Sequence, residues 1–497
     1  MVKQIFLIAL LFVSLRVSAN ANFCEVLFTS TQQSSASIET VHRYLNDTLA
    51  GLEAMRGTNG LLRDAVWIKN KKDGSYQVAT LNSATSPTNM AVDILIQIEL
   101  LERPEKRKAA ENRLNKLIET LSDLEFHPET GLLFSRYASD TEVPIIKDPS
   151  VSSIDNLHLA LALWTLTQKD PHSKTGKMAQ ALFSRMDFSV YYDEASGLIG
   201  GNLRKQDNGW VRESYNFANL GSEARLLYSA GWAIGLFRKV KNDEVFLGKA
   251  FANLKVELYQ SSQGPLLKLW DGSAFQLFFP RIFANENLYS SALNRFYVNK
   301  GQYMLAEGRR RNISTPAAHS AIRVGTHESK FKGEGSIYRD KGGNIDLVSS
   351  DNQDVNDPLL RKLWDGAFAP YALVMAAAAA PTEILPELNR LESLKSGRDS
   401  LYKKDLGWME GYHVTGPLTG QVVAAQLSLN QGMLALSLLQ IESADGLSAS
   451  ARALQKNEAT RKRMQRFYKL FDDKLNFNIE TFAAVKHKMI SSFTVFK

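Results

Sequence analysis

The stretch SYNFANLGSEARLLYSAGWAIG, at residues 214–235, passes from polar and aromatic residues directly into an apolar helical pattern. Ser222 is a suitable N-cap, because its hydroxyl can accept hydrogen bonds from the free backbone N–H groups of a first helical turn. Glu223 would lie in that turn, where the helix dipole favours a carboxylate. Tyr228 and Trp232 repeat at helical spacing behind it. The stretch therefore predicts a helix that begins in a polar loop and carries an acid at its start.

Two interpretations of Glu223 are open from this stretch alone. In the first, the carboxylate only stabilises the start of the helix and pairs with Arg225, because many carboxylates in such positions are structural. In the second, it serves sugar chemistry, since glycosidic bonds are hydrolysed by carboxyl groups and Tyr215 and other aromatic rings lie nearby in the sequence.

Helical periodicity dominates the remainder of the chain after a Ser- and Gln-rich linker at residues 30–37. Apolar residues recur at steps of three and four in about a dozen segments, at 38–55, 89–101, 114–124, 154–166, 178–186, 223–240, 245–258, 274–283, 288–307, 364–379, 421–441 and 462–470. Strand-like alternation is confined to short pieces such as 131–137 and 197–202. Because the helices share no sequence repeat and polar loops join them, they favour a ring of helix pairs over a repeat solenoid. We therefore predict an all-α fold, an (α/α)6 toroid or barrel with short strand elements in its loops, where functional residues collect.

The first 21 residues are typical of a secretory signal peptide. Lys3 supplies the positive start, residues 5–15 the apolar core and residues 17–21 a cleavage site of small residues. The apolar core is too short to span a bilayer, and no later stretch reaches the required length. We expect an exported protein that is periplasmic, with secretion as the second choice.

The expected organisation of the chain has four parts. They are a signal peptide at 1–21, an N-terminal linker and helix at 22–60, an (α/α)6 domain at 60–445 and a C-terminal helical extension at 446–497 that packs on it.

Composition narrows the set of partners and cofactors. The net charge of +7 is modest for 497 residues and forms no concentrated basic block outside the C-terminal helix, so a nucleic acid partner is not expected. Cys24 is the only cysteine, which excludes an intramolecular disulfide and a zinc site built on cysteine. His127, His158 and His172 lack the spacing of metal ligands and are interpreted as structural or exposed. We expect no metal and no cofactor.

Aromatic residues and acids gather in the predicted loops. They occur at 191–193, 210, 215, 270–271, 319, 364–365 and 408–413. Such a lining suits a polysaccharide, with rings against the faces of the sugars and carboxylates or amides against their hydroxyls. The alternative is that Trp and Tyr cap the ends of a helical core, because their polar tips favour solvent.

Ten segments, taken together and in order, resemble the glucoamylase-like domain near the C-terminus of cyclic β-1,2-glucan synthases. That domain belongs to a wider group of (α/α)6-barrel enzymes that act on β-1,2-glucans. The segments are TSPTNMAVDIL (85–95), LIETLSDLEFHPETGLLFSRY (117–137), VSSIDNLHLALAL (151–163), YYDEASGLIGG (191–201), SEARL (222–226), LWDGSAFQLFFP (269–280), EGRRRNI (307–313), FAPYALVMA (368–376), LGWMEGYHVT (406–415) and NQGMLAL (430–436). The resemblance covers about residues 60–440 and implies the same fold.

The resemblance also implies the residues of the site. Asp155, Glu223 and Glu410 match acidic positions of the group and are the expected catalytic residues. Expected substrate-binding residues are Tyr215, Trp270, Gln276, His319, Trp408 and Tyr412. Gln276 and His319 are departures, since each stands where the family usually carries a glutamate. The synthase-type transglycosylation is therefore not expected of this chain.

The surviving acids suit a glycoside hydrolase, which needs two carboxyl groups across the scissile bond. Glu410 is the first choice for general acid, because Trp408 and Tyr412 beside it in the sequence can partly desolvate it. Asp155 or Glu223 would hold or activate water. His319 cannot replace a carboxylate nucleophile, although a histidine can act as a general base. The expected substrate is a β-glucan or another periplasmic polysaccharide.

Three alternatives stay open at this point. Asp155 can be a turn or N-cap carboxylate at the start of the helix near Asn156, and Glu410 can be a loop acid paired with Lys403 or Lys404. The whole protein can also be a glycan-binding or assembly factor that keeps the groove without the reaction.

Overall fold

The computed structural model describes residues 35–207, 209–240, 242–261, 263–269, 274–310, 338–339, 345–346, 367–413 and 420–494. The helices of these residues are α1 Ser35–Ala54, α2 Pro87–Leu100, α3 Pro104–Ser122, α4 Ser153–Lys169, α5 Lys174–Arg185, α6 Asp243–Asn253, α7 Ala274–Ala284, α8 Ser291–Arg310, α9 Pro370–Ala377, α10 Pro381–Leu391, α11 Ser428–Glu442, α12 Ala449–Lys456 and α13 Glu458–Thr494. A π-helical turn, Leu227–Gly231, and the 3-10 turns Ser189–Tyr191 and Glu286–Leu288 accompany them. None of the described helices is both long and apolar enough to cross a membrane.

The helices alternate along the chain between an outer and an inner ring. The inner ring consists of α2, α4, the π-helical turn, α7, α9 and α11, and the outer ring of α1, α3, α5, α6, α8 and α10. Inner helices are buried on nearly all sides, and every residue of α2 and of α9 is buried. An outer helix such as α5 buries a single stripe, Gly176, Ala179 and Leu182. Since α2 packs against both α4 and α11, the inner ring closes on itself, which confirms the predicted (α/α)6 barrel.

Polar caps fix where the inner helices begin. The Ser86 hydroxyl accepts a hydrogen bond from the Asn89 N–H at 3.2 Å, and the Ser152 hydroxyl accepts one from the Asp155 N–H at 3.2 Å. Because consecutive helices run in opposite directions, all inner helices begin at the same end of the barrel. We call this end, with the loops that lead into the inner helices, the mouth.

Short strands lie in the connections. They are β1 Ala65–Asn70, β2 Tyr76–Asn82, β3 Ala84–Thr85, β4 Arg136–Ala138, β5 Ile146–Asp148, β6 Val151–Ser152, β7 Ile199–Gly200, β8 Asn202–Gln206, β9 Gly209–Arg212, β10 Asn216–Phe217, β11 Leu258–Ser261, β12 Gly264–Leu267, β13 Tyr338–Arg339, β14 Ile345–Asp346, β15 Ala367–Phe368, β16 Lys395–Ser396, β17 Asp399–Ser400, β18 Tyr402–Lys403, β19 Gly407–Trp408, β20 Gly411–His413, β21 Val422–Val423 and β22 Ala425–Leu427. The sheet β2-β1-β22 pairs Ala65 with Leu427 and so joins the loop before α2 to the loop before α11.

The end of the barrel opposite the mouth is covered by α12 and α13. Helix α12 packs against α2, α4 and α7, and Arg452 of α12 pairs with Glu99 at the end of α2. Beside it lies a cavity of about 1260 Å³ that is lined by residues of α1, α2, α4, α11 and α12. Charged side chains of this cavity pair with one another, as Glu442 does with His42 and Arg103. The charges of this cavity are thus used in holding α1, α11 and the loop after α2 together.

Candidate active site

Asp155 lies in the first turn of α4 and is partly exposed at the mouth. Its Oδ1 accepts a hydrogen bond of 2.5 Å from the hydroxyl of Thr88, in the first turn of α2. The N-cap of α4 is Ser152, so the interpretation of Asp155 as the N-cap is wrong. Its position agrees with the other form of that alternative, a carboxylate in the first turn.

His158 lies one turn further into the barrel than Asp155. Its Nδ1 is 3.1 Å from the same Thr88 hydroxyl, and its ring centroid lies 4.8 Å from that of Phe279 and 4.9 Å from that of Phe283. Burial lowers the pKa of His158 well below its ordinary value, and the nearby charge of Asp155 opposes this shift only in part. The imidazole is therefore neutral near neutral pH.

Tyr215 stands at the rim of the mouth and is 46% exposed. Its ring covers Gly201, where a Cβ atom would come within 1.9 Å of the Tyr215 hydroxyl oxygen. Burial of the hydroxyl, then the charge of Glu213, raise the pKa of Tyr215 to about 12, and Asp155 contributes to the same shift. Tyr215 thus keeps its proton, and its hydroxyl is engaged with Glu213. Its contact with substrate stays a prediction.

Glu223 begins the inner segment that contains the π-helical turn, and it is partly exposed. The Ser222 hydroxyl donates to Glu223 Oε2 at 3.0 Å and accepts from the Ala224 N–H at 3.2 Å. The backbone N–H of Glu223 donates to Gln276 Oε1 at 3.0 Å. Gln276 is 4% exposed, so it holds the Glu223 backbone from α7 and presents little surface to a ligand.

Arg225 does not pair with Glu223, so this part of the first interpretation of Glu223 is wrong. Its guanidinium forms a fully buried ion pair with Glu286 at 2.7 Å, and it also donates to the carbonyl oxygens of Gln276 at 2.9 Å and Leu277 at 2.8 Å. A buried guanidinium requires such compensation because an unpaired buried charge is very costly. Arg225 therefore fastens the segment that carries Glu223 to the first turn of α7.

The helical segment after Glu223 is shorter than the predicted helix over 223–240. A π-helical turn occupies Leu227–Gly231, and Gly235, with a φ of 84°, ends the segment. π-Turns are rare and frequently occur at functional sites.

Glu410 lies between β19 and β20 and is 1% exposed. Its Oε1 accepts from the side-chain amide of Asn430, and its Oε2 accepts from the Leu427 N–H at 3.3 Å. Lys403, one of the two partners considered for it, donates instead to Asn70 Oδ1 at 2.6 Å. The buried Glu410 carboxylate thus holds the start of α11 through hydrogen bonds with Leu427 and Asn430.

Asp64 was not identified from the sequence, yet it connects the two sides of the mouth. Its Oδ1 accepts from Asn89 of α2 at 3.2 Å and from Arg136 of β4 at 3.0 Å. Its carbonyl oxygen accepts from the Ser428 N–H at the start of α11 at 2.9 Å. Local sequence offered no signal for Asp64, because Asn89 and Arg136 lie 25 and 72 residues away from it in the chain.

The remaining residues expected to bind substrate differ in their exposure to a ligand. Trp408 has no exposed surface, and its ring packs against Tyr44 at 5.2 Å and Tyr402 at 5.0 Å between centroids, so it offers no face to a ligand. Tyr412, in β20, is partly exposed. Trp270 and His319 lie outside the described residues. Among the residues that the structure describes, no group of three or more His, Cys, Asp or Glu is arranged to hold a metal ion.

The fold is that of the glucoamylase-like (α/α)6 barrels. An endo-β-1,2-glucanase from Talaromyces funiculosus, in complex with β-1,2-glucan, matches with a TM-score of 0.66, 13% identity and coverage of 90% of this chain and 91% of that chain. A glucoamylase-like protein from Bacteroides uniformis matches with a TM-score of 0.64, 13% identity and coverage of 88% and 98%. An endo-β-1,2-glucanase from Chitinophaga pinensis, in complex with sophorotriose and glucose, matches with a TM-score of 0.62, 11% identity and coverage of 87% and 98%.

No protein-family model matches the chain, and no curated protein matches its sequence. At these identities the likeness to solved structures concerns the fold. The expected resemblance to glucoamylase-like domains is confirmed at that level.

Proposed function

We propose that this protein is a glycoside hydrolase that cleaves a β-glucan by carboxylate acid–base chemistry. The observation that carries the proposal is the pair Asp155 and Glu223. Both are partly exposed, both lie where inner segments begin at the mouth, and a hydroxyl donates to each of them, from Thr88 and from Ser222. Glycoside hydrolysis needs two such carboxyl groups. The fold shared with two endo-β-1,2-glucanases supports a β-1,2-glucan as the first substrate to test.

In this proposal Asp155 is the general base and Glu223 the general acid. The N-terminus of α4 and the Thr88 hydroxyl both lie next to Asp155. Both favour the carboxylate form, which can take a proton from water. Glu223 then delivers a proton to the oxygen of the leaving sugar. Tyr215 offers its hydroxyl and ring to the sugar beside Asp155.

Glu410 is assigned a supporting part rather than that of general acid. A general acid must reach the leaving oxygen within hydrogen-bond distance. The Glu410 carboxylate is buried and engaged by Asn430 and Leu427, so we propose that it orders the start of α11.

Release of reducing ends from β-1,2-glucan oligosaccharides tests the proposal. Glu223→Gln and Asp155→Asn each keep the shape of the side chain and are expected to lower the rate by at least about 100-fold, as removal of an acid or base does. Glu194→Gln and Asp123→Asn change exposed acids in the same way and should leave the rate within about twofold. Full turnover in either of the first two variants would contradict the assignment.

A second function, glycan binding without reaction, is favoured by one observation. Gln276 stands where the family carries a glutamate, and its side chain is used to hold the Glu223 backbone. Calorimetric binding of the oligosaccharide with no product after long incubation would support this function. Binding that depends on Tyr215 would then place the glycan at the mouth.

We also propose that the protein acts outside the cytoplasm, in a periplasm. The support is the signal-like sequence at residues 1–21. Mass spectrometry of the protein recovered from a periplasmic extract should give a chain that begins after residue 19 or 21. A full-length chain confined to the cytoplasm would refute the proposal.

A further inference from the structure

A chain of three polar side chains runs from the mouth into the barrel core. It begins at Asp155, passes through the hydroxyl of Thr88 and ends at His158, with a 2.5 Å contact between Asp155 Oδ1 and Thr88 Oγ1 and a 3.1 Å contact between Thr88 Oγ1 and His158 Nδ1. Thr88 and His158 are 3% and 2% exposed, so solvent does not compete for these contacts.

The proton count of this chain defines the direction of both hydrogen bonds. An ionised carboxylate only accepts, and a hydroxyl carries a single proton. The Thr88 proton must therefore point to Asp155, and the Thr88 oxygen is left to accept from His158. It follows that His158 carries its proton on Nδ1.

The surroundings of His158 agree with this tautomer. Its Nε2 is buried and has no hydrogen-bond partner among the described residues, and the rings of Phe279 and Phe283 pack on the imidazole. An orphaned acceptor in such a place is tolerated better than an orphaned N–H donor. The neighbours that α2 and α7 place against the imidazole, Thr88 and the two phenylalanines, are uncharged. Among the described residues, the charge that acts on His158 is that of Asp155, on its own helix.

We propose that His158 is a positioning residue whose Nδ1–H turns the Thr88 hydroxyl toward Asp155 and so fixes the orientation of the Asp155 carboxylate. The consequence for catalysis rests on the proposed function, in which Asp155 activates water. The hydrogen-bond arrangement itself does not.

Nuclear magnetic resonance tests the arrangement without any assay of activity. In protein labelled with ¹⁵N-histidine, the His158 signals are assigned by their loss in His158→Phe. We expect the neutral Nδ1–H tautomer between about pH 5 and 8. An Nε2–H tautomer or an imidazolium ion in this range overturns the proposal.

The effect on Asp155 is measured in protein labelled with ¹³C at the aspartate carboxyl carbon, with the signal assigned by Asp155→Asn. Thr88→Val removes the hydroxyl and keeps the shape, and we expect it to move the Asp155 carboxyl signal at pH 7, because the carboxylate loses a hydrogen bond. His158→Phe, which fits the apolar ring contacts, should move this signal by a smaller amount. Thr88→Ser restores the hydroxyl and should restore the wild-type signal, and His172→Phe, at an exposed histidine, should leave it unchanged.

An unchanged Asp155 carboxyl signal in both Thr88→Val and His158→Phe would overturn the proposal. Where hydrolysis is measured, kcat should fall in the same variants with a smaller change in KM, because a misoriented base affects the reaction step more than binding. A wild-type protein that binds glycan without hydrolysis would refute the proposed function and leave the two resonance tests to decide on His158.

Discussion

Arg225 and Glu286 form an ion pair in which neither side chain has any exposed surface. Tyr297 donates to the same carboxylate at 2.6 Å, and Tyr468 of α13 donates to it as well. One buried cluster thus connects the segment of Glu223, the inner helix α7 and the C-terminal helix. Its integrity should control stability more than any exposed pair does.

Breaking this pair from one side is expected to destabilise the fold strongly. Glu286→Gln leaves the Arg225 charge buried without compensation and should lower the free energy of unfolding by about 3–5 kcal/mol, measured by urea denaturation. Glu387→Gln, in the exposed pair with Arg390, is the control and should cost less than about 1 kcal/mol. Equal losses in the two variants would contradict the role given to the buried pair.

The contact between Gln276 and Glu223 makes a prediction about turnover. Gln276→Leu removes the oxygen that accepts the Glu223 N–H, and the Glu223 carboxylate should lose its position. We expect a fall in kcat of about tenfold with a smaller change in KM, because a misplaced acid affects the reaction step more than binding. Gln276→Glu keeps an acceptor at this place and should retain more of the turnover than Gln276→Leu does. The opposite ranking would show that Gln276 acts on the substrate itself.

Two glycine substitutions with opposite expectations probe the rim. Gly201→Ala places a methyl group within 1.9 Å of the Tyr215 hydroxyl oxygen and should displace the ring, which would weaken oligosaccharide binding in calorimetry. Gly248→Ala, in the open middle of α6, has no atom within 4 Å of the new methyl group and should raise stability by about 0.5–1 kcal/mol. Unaltered binding in Gly201→Ala would remove Tyr215 from the site.

Acid should destabilise the protein partly through His158. Burial lowers the pKa of the folded-state imidazole from its ordinary 6.5, so below about pH 6.5 the unfolded chain binds a proton that the folded chain does not. This term is absent at neutral pH and should reach at most about 2 kcal/mol of lost stability at pH 5. Urea denaturation at pH 7 and pH 5 measures it, and His158→Phe should lose less stability on acidification than His172→Phe. A loss of equal size in both variants would show that His158 is protonated in the folded state.

The sequence predicted two of the inner helices well. The apolar periodicity at 89–101 and 154–166 placed α2 and α4 to within three residues at each end, and the serine caps that set where they begin were not identified. The helix over 223–240 was predicted too long, because the π-turn at Leu227–Gly231 and the left-handed Gly235 arise from packing within the ring.

The partners of the charged and polar residues could not be predicted from local sequence patterns, because they lie far away in the chain. Arg225 stands two residues from Glu223, yet it binds Glu286, 61 residues away in the chain. Gln276 was recognised as a site position through resemblance, but its acceptor role toward a backbone N–H exists only after α7 and the Glu223 segment have come together. Trp408 shows the same limit, since an aromatic residue beside an acid in the sequence proved to be a core residue.

The pairing of Ala65 with Leu427 has a consequence for the order of folding. The first and the last inner helices are neighbours, and the hydroxyl of Tyr468 completes a cluster whose other members were synthesised much earlier. During translation, the ribosome will therefore carry an open arc of helix pairs with an apolar inner edge, and the arc cannot close until almost the whole chain has emerged. Such long-range closure slows folding and leaves the apolar surface of the partly made chain exposed to aggregation in the meantime.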